Sequence, residues 1–157
     1  MNWLIDLVTN PFLITGVCAW LIAQVAKGII NWIVDGKFDG SRFFGDGGMP
    51  SGHSATVTSL AIMVGWIEGF DSALFAISAV LAMIVMHDAT GVRREAGKQA
   101  VSIKELANII NRAFLSKDDE IKTHNLKVLV GHTPLQVFFG VLTGVVVAIG
   151  AILIFSL

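Results

Sequence analysis

Long uncharged stretches alternate with short polar ones along this chain. Leu7 to Ala26 carries no charge, Lys27 interrupts the run, and apolar character resumes to Val34. Gly47 to Ile67 holds one titratable side chain, His53, whereas Ser72 to Met86 and Pro134 to Leu157 hold none. A helix needs roughly 20 apolar residues to cross a bilayer core. The pattern therefore predicts an all-α integral membrane bundle, one domain over residues 1–157, with about four transmembrane spans. These fall roughly at 8–34, 51–68, 72–90 and 134–157, with Glu68 to Asp71 as a tight turn between the second and third. Gly140 and Gly144 have the spacing of close helix packing, and Trp3, Trp32 and Trp66 suit anchoring at a membrane interface.

Between the third and fourth runs the pattern changes period. Ile103, Leu106, Ile110 and Phe114 recur every three or four residues, opposite Lys104, Glu105, Asn108 and Arg112. That is an amphipathic helix, roughly 94–115. It can lie in the headgroup plane or pack on the other helices. Lys117 to Lys122 reads as a solvated turn, and His87 and His124 as structural or solvated residues.

Composition narrows the class. Only 15% of the 157 residues are charged and 54% are hydrophobic, with a mean hydropathy of +0.73, against about 25% charged in soluble domains. A net charge of −1 gives no basis for a nucleic-acid partner. The single cysteine, Cys18, lies within an apolar run and has no partner in the chain. No basic residue precedes Lys27, so a cleaved leader is not expected. A chain this small is compatible with a homo-oligomer.

Charge also orients the spans. With Lys27 set aside, all ten other Lys and Arg residues fall in the two loops on one side, around Lys37–Arg42 and from Arg93 to Lys127. Basic residues gather in cytoplasmic loops. Both loops are thus expected to be cytoplasmic, and both termini non-cytoplasmic.

The polar residues near span depth converge on that same face. Lys27 lies towards the end of the first span, Ser51 and His53 open the second, His87, Asp88, Arg93 and Arg94 follow the third, and His132, Thr133 and Gln136 open the fourth. Ionisable groups at this depth are costly and usually functional. In Pro50-Ser51-Gly52-His53, Ser51 can cap a helix whose first amides then meet an anion at the positive end of the dipole. Thr133-Pro134-Leu135-Gln136 offers a second start, with proline at the first helical position and Gln136 at the capping-box position. Two histidines, an aspartate and several cations at one interface make an anion site with acid–base capacity. The acids are too scattered to hold Mg²⁺ as a cluster, and no metal or other cofactor is expected.

Three blocks of this sequence together resemble one family. GGMPSGHSA, DATGVRREAGKQA and GHTPLQVFFGVLTG, at Gly47–Ala55, Asp88–Ala100 and Gly131–Gly144, are similar to the type-2 phosphatidic acid phosphatase and vanadium haloperoxidase superfamily, in its short divergent branch. The resemblance runs from about Gln24 to Gly144. It implies a metal-independent phosphatase in which one histidine attacks phosphorus and the motif's own histidine protonates the leaving group. On that basis His53 matches the leaving-group acid, and Ser51 and Gly52 match phosphate ligands. His132 is the candidate nucleophile, Lys27 stands for the family's first lysine, and Arg93 or Arg94 for its later arginine. The chain departs from the pattern at three places. Val34 stands seven residues after Lys27 where Arg-Pro is usual, and Leu126 and Gln136 stand where the family has an arginine and an acid. A neutral glutamine can orient an imidazole but does not stabilise an imidazolium as a carboxylate does, which leaves Asp88 as the candidate carboxylate. An opening at the bilayer surface implies a lipid or isoprenoid phosphate or diphosphate as substrate. The rival reading is a membrane protein that binds or translocates a lipid phosphate without cleaving it.

Overall fold

A computed structural model of the chain describes residues 2–36, 48–114 and 131–155. Lys37, Arg42, the turn at 117–122, His124 and Leu126 lie outside the described residues. Six helices account for nearly all of them: α1 (Trp3–Val8), α2 (Pro11–Asp35), α3 (Gly52–Glu68), α4 (Ala73–Thr90), α5 (Val92–Phe114) and α6 (Pro134–Phe155). No strand occurs among the described residues.

The helix boundaries follow from capping chemistry. The Asn10 side chain accepts from Phe12 N and Leu13 N at 3.0 and 3.1 Å, with Pro11 at the first helical position. This cap splits off α1 and starts α2 at Pro11, later than the uncharged run alone suggests. Gly36 ends α2 in the left-handed region at φ 66° and donates to Trp32 O. Between α3 and α4, Ser72 accepts from Phe75 N at 3.1 Å and donates to Gly69 O at 2.7 Å. Phe70 folds back over Gly65 and meets Phe75 edge to face at 5.1 Å.

The central helix is α3, which packs against α2, α4 and α6. Its contacts are made by small residues. Gly140 and Gly144 of α6 approach so closely that an added Cβ would stand 2.5 Å from Ser51 O and from Ala55 O. Ala19 and Ala23 of α2 meet Ala55 in the core, backed by Val147. Small residues let helix backbones come together where lipid supplies no hydrophobic driving force between helices. Large apolar side chains point outwards instead, up to 81% exposed at Ile154. That inversion suits hydrocarbon as the surrounding solvent.

Among the described residues three helical stretches are long and apolar enough to cross a membrane: α2, α4 running on into α5, and α6. Helix α3 has 17 residues, about 26 Å at 1.5 Å per residue, and carries four hydroxyl side chains: Ser54, Thr56, Thr58 and Ser59. At Gly91 the chain turns out of α4, and α5 packs on α4 alone among the described helices. Ile103, Leu106 and Ile109 of α5 are exposed, so its apolar face is not packed against the bundle.

Candidate functional site

The starts of α3 and α6 are locked together by backbone. Ser51 N donates to Gln136 O at 3.0 Å, and His132 N donates to Ala89 O at 3.0 Å. Three helices therefore fix the loop that carries His132: α6 follows it, α3 is bonded across it, and the end of α4 holds its backbone. Local sequence dictates the two starts. Ser51 Oγ accepts from Ser54 N at 3.3 Å and from Ser54 Oγ at 3.0 Å. Thr133 and Gln136 cap α6 reciprocally, Thr133 N donating to Gln136 Oε1 at 2.9 Å and Gln136 N to Thr133 Oγ1 at 3.3 Å.

This frame brings the two histidines to a ring separation of 6.1 Å, tilted by 55°. They differ in surroundings: His132 is 4% exposed, whereas His53 is open to the exterior. Lys27 is 2% exposed and lies along Gly48, where an added Cβ would stand 3.1 Å from its Cγ. Gly48 also has φ 96°, so a side chain there meets both a crowded neighbour and unfavourable backbone. Gly52 lies under the Trp20 indole, with 3.2 Å between an added Cβ and Cδ1. The absence of a side chain at both positions lets α2 close on the start of α3.

Lys27, Ser51, Gly52, His53, His132, Thr133 and Gln136 thus share one end of the bundle. Asp88 and Arg93 are arranged differently. Arg93 Nε donates to Asp88 Oδ2 at 2.6 Å in a partly exposed pair. Asp88 lines a surface groove with Met83, Ile84, His87 and Val92. Arg94 enters through its backbone: a Cβ at Gly131 would overlap the main chain of Arg93 and Arg94, which seats the residue before His132 on the start of α5. Among the described residues no three His, Cys, Asp or Glu side chains are grouped to hold a metal ion.

Trp20 of α2 joins the site and Gln24 shares its helix face, and sequence reasoning passed over both. Trp20 lines a cavity of about 350 Å³ with Gly16, Val17, His53, Thr56, Val57 and Val85. Gln24, one turn before Lys27, has its Oε1 buried without a hydrogen-bond partner among the described residues. Trp20, Gln24 and Lys27 are spaced i, i+4, i+7 and so share a helix face. An amide within an otherwise apolar run was the available signal. The electrostatic resources are a buried cation, a helix N-terminus that favours negative charge, and two imidazoles able to carry protons.

Comparison with known proteins bears on the sequence of the chain. The profile of the divergent PAP2 family matches residues 8–147. The uncharacterized membrane protein YuiD of Bacillus subtilis (strain 168) is 45% identical over 150 residues, covering 92% of this chain and 95% of that protein. No solved structure matches.

Proposed function

The chain belongs to the divergent PAP2 family, and from that premise we propose a membrane-embedded, metal-independent phosphatase acting on a lipid or isoprenoid phosphate or diphosphate. The observation that carries the reading is the pairing of His53 with His132 at 6.1 Å, beside the α3 N-terminus and the buried Lys27. In this reading four spans cross the bilayer, with α3 as the short central one, and the site faces the cytoplasm.

The proposed reaction is two displacements at phosphorus. A ring nitrogen of His132 attacks, the phosphorus–oxygen bond to the leaving group breaks, and protonated His53 gives its proton to the departing oxygen. Neutral His53 then takes a proton from water as that water attacks the phosphohistidine. The phosphorus–nitrogen bond breaks, inorganic phosphate leaves and both histidines return to their starting states. Covalent splitting of this kind suits a histidine nucleophile. Lys27, the α3 amides and Arg94 are assigned to the charge on the phosphoryl oxygens, since Arg93 is paired with Asp88. The apolar cavity below His53 supports a substrate with a hydrocarbon tail, because it leads from the imidazole along Val17, Val57 and Val85.

A second reading, binding or translocation without hydrolysis, is favoured by one observation. Asp88, the candidate carboxylate, is paired with Arg93 at 2.6 Å, and Gln136, which stands where the family has an acid, accepts from Thr133 N at 2.9 Å. Phosphate release by purified protein in detergent with EDTA separates the two. The panel is phosphatidic acid, phosphatidylglycerol phosphate and polyprenyl mono- and diphosphates, each with wild type, His53→Ala and His132→Ala. Release lost in both variants is the expected result. Tight binding of a lipid phosphate without release would replace hydrolysis by the second reading.

A further inference from the structure

Helix α5 keeps an apolar stripe that no other described helix covers. It packs on α4 alone. Ile103 and Leu106 stand eleven and fourteen residues after Val92, a spacing that sets all three on one stripe of the helix, and each is more than half exposed. The bend at the start of α5 fixes which way this stripe looks. Helices α4 and α5 meet at Gly91, whose φ of −98° and ψ of −91° are not helical. A groove of about 600 Å³ lies at the bend, lined by Met83, Ile84, His87 and Asp88 of α4 and by Val92 of α5. A hollow on one side of two joined helices marks the inside of their angle, so α5 leans over the flank of α4 that carries Met83 and Ile84. Both of these side chains are exposed, as apolar residues of a membrane span are where they meet lipid. The Val92 stripe, on the inner side of the angle, therefore looks down onto the hydrocarbon beside α4.

Charge names the layer that receives it. Helix α5 holds five basic residues, Arg93, Arg94, Lys98, Lys104 and Arg112, against Glu95 and Glu105, within a chain whose net charge is −1. This cationic helix begins with only Gly91 between it and the end of an apolar span, which sets its start at headgroup level. From this we infer that α5 is an interfacial helix of the leaflet on the histidine side. Its Val92–Ile103–Leu106 stripe lies on the acyl chains, and its cations lie among anionic phospholipid headgroups. Projection away from the bilayer would leave the three large apolar side chains in water and would not produce a hollow over the lipid-facing flank of α4. A second copy of the chain would bring the same excess of positive charge to a two-fold contact, where like charges repel. The placement rests on the membrane character of the chain and not on the proposed hydrolysis, so each can fail without the other.

The test is fluorescence quenching by bilayer lipid in the purified full chain. A Cys18→Ser background removes the only native cysteine, and Ile103→Cys, Leu106→Cys, Glu105→Cys or Asn108→Cys then carries a bimane label. Each protein is placed in nanodiscs of phosphatidylcholine brominated on its upper acyl carbons, with or without phosphatidylglycerol. The two faces of a helix lie about 10 Å apart. With phosphatidylglycerol present, quenching at Ile103→Cys and Leu106→Cys is expected to exceed that at Glu105→Cys and Asn108→Cys by about threefold or more, a span of depth that short-range quenching resolves. Leaving phosphatidylglycerol out lowers the Ile103→Cys signal, and so does salt of about 1 M, which shortens the screening length to about 3 Å. Adding Lys104→Gln and Arg112→Gln gives the same fall with phosphatidylglycerol present. Equal quenching on the two faces, or quenching at Ile103→Cys indifferent to phosphatidylglycerol and salt, would overturn the proposal. So would a full-yield disulfide between two unlabelled Ile103→Cys chains, which assigns the stripe to a second copy.

Discussion

The junction of α3 with α6 and the elbow between α4 and α5 lie at neighbouring positions and are both rich in polar side chains, yet they are built in opposite ways. At the junction, backbone bonds from Ser51 to Gln136 and from His132 to Ala89 fix the frame. Glycines close the space around it, and Ser51, Lys27 and His132 are buried. At the elbow, Arg93 and Asp88 meet as a partly exposed pair beside a surface groove. A site needs side chains held by their surroundings, and the junction supplies that holding. A pair in contact with solvent or headgroups is screened and worth little on its own. Polar composition alone does not mark a site; the frame around it does.

The comparison breaks most visibly in activity. If the junction is the reacting centre, His53→Ala lowers phosphate release by about 10²- to 10⁴-fold, the usual worth of a positioned acid. Asp88→Asn at the elbow leaves it within about threefold. A loss at Asp88 equal to that at His53 would join the elbow to the centre. Next in size is packing. Gly140→Leu drives a side chain into Ser51 O and Ser54 Cβ, destabilising the fold by about 3 kcal/mol or more. Gly150→Leu on the same helix meets open space and leaves the detergent melting temperature unchanged.

Capping comes third. Ser51→Ala removes the acceptor for Ser54 N and Ser54 Oγ and lowers stability by about 1–2 kcal/mol, with a matching fall in melting temperature. Arg93→Ala should cost no more than about 1 kcal/mol, the range of exposed pairs. The smallest effect concerns Glu95 on α5. The hydrogen bond from Lys98 at 2.6 Å, followed by the Lys98 charge, holds its carboxyl below the ordinary carboxylate range. A depressed folded value adds stability above the unfolded pKa and loses it as pH falls through the folded one. Lys98→Met moves Glu95 back towards ordinary titration by NMR and lowers the melting temperature at pH 7 only slightly, the exposed pair being worth little.

Much of the fold was legible because its causes are local. Uncharged runs mark the helices that meet lipid, and the spacing of Ile103, Leu106 and Ile110 marks the amphipathic α5. Gly140 and Gly144 announce a close helix contact by their spacing. The break at Asn10 was less visible, because an asparagine in an apolar run becomes a cap only once Pro11 is seen to start a helix. Partner choice was legible only in part, since Asp88 and the two arginines that follow it are near enough in sequence to pair. Asp88 meets Arg93 five residues on, a result of how the chain turns at Gly91. Trp20 reaches the His53 cavity through the register of α2 against α3, which depends on Gly48 and Gly52 being bare. Register between helices is a property of whole surfaces, and no local stretch encodes it.

The central claim is that His132 carries phosphorus during turnover. Purified wild type incubated with a phosphate-labelled polyprenyl diphosphate, quenched in alkali and mapped by mass spectrometry tests it directly. The account predicts an acid-labile, alkali-stable phosphoryl group on His132 that is absent from His132→Gln. Phosphate released at full rate by His132→Gln, or phosphorus found on any other residue, would contradict it.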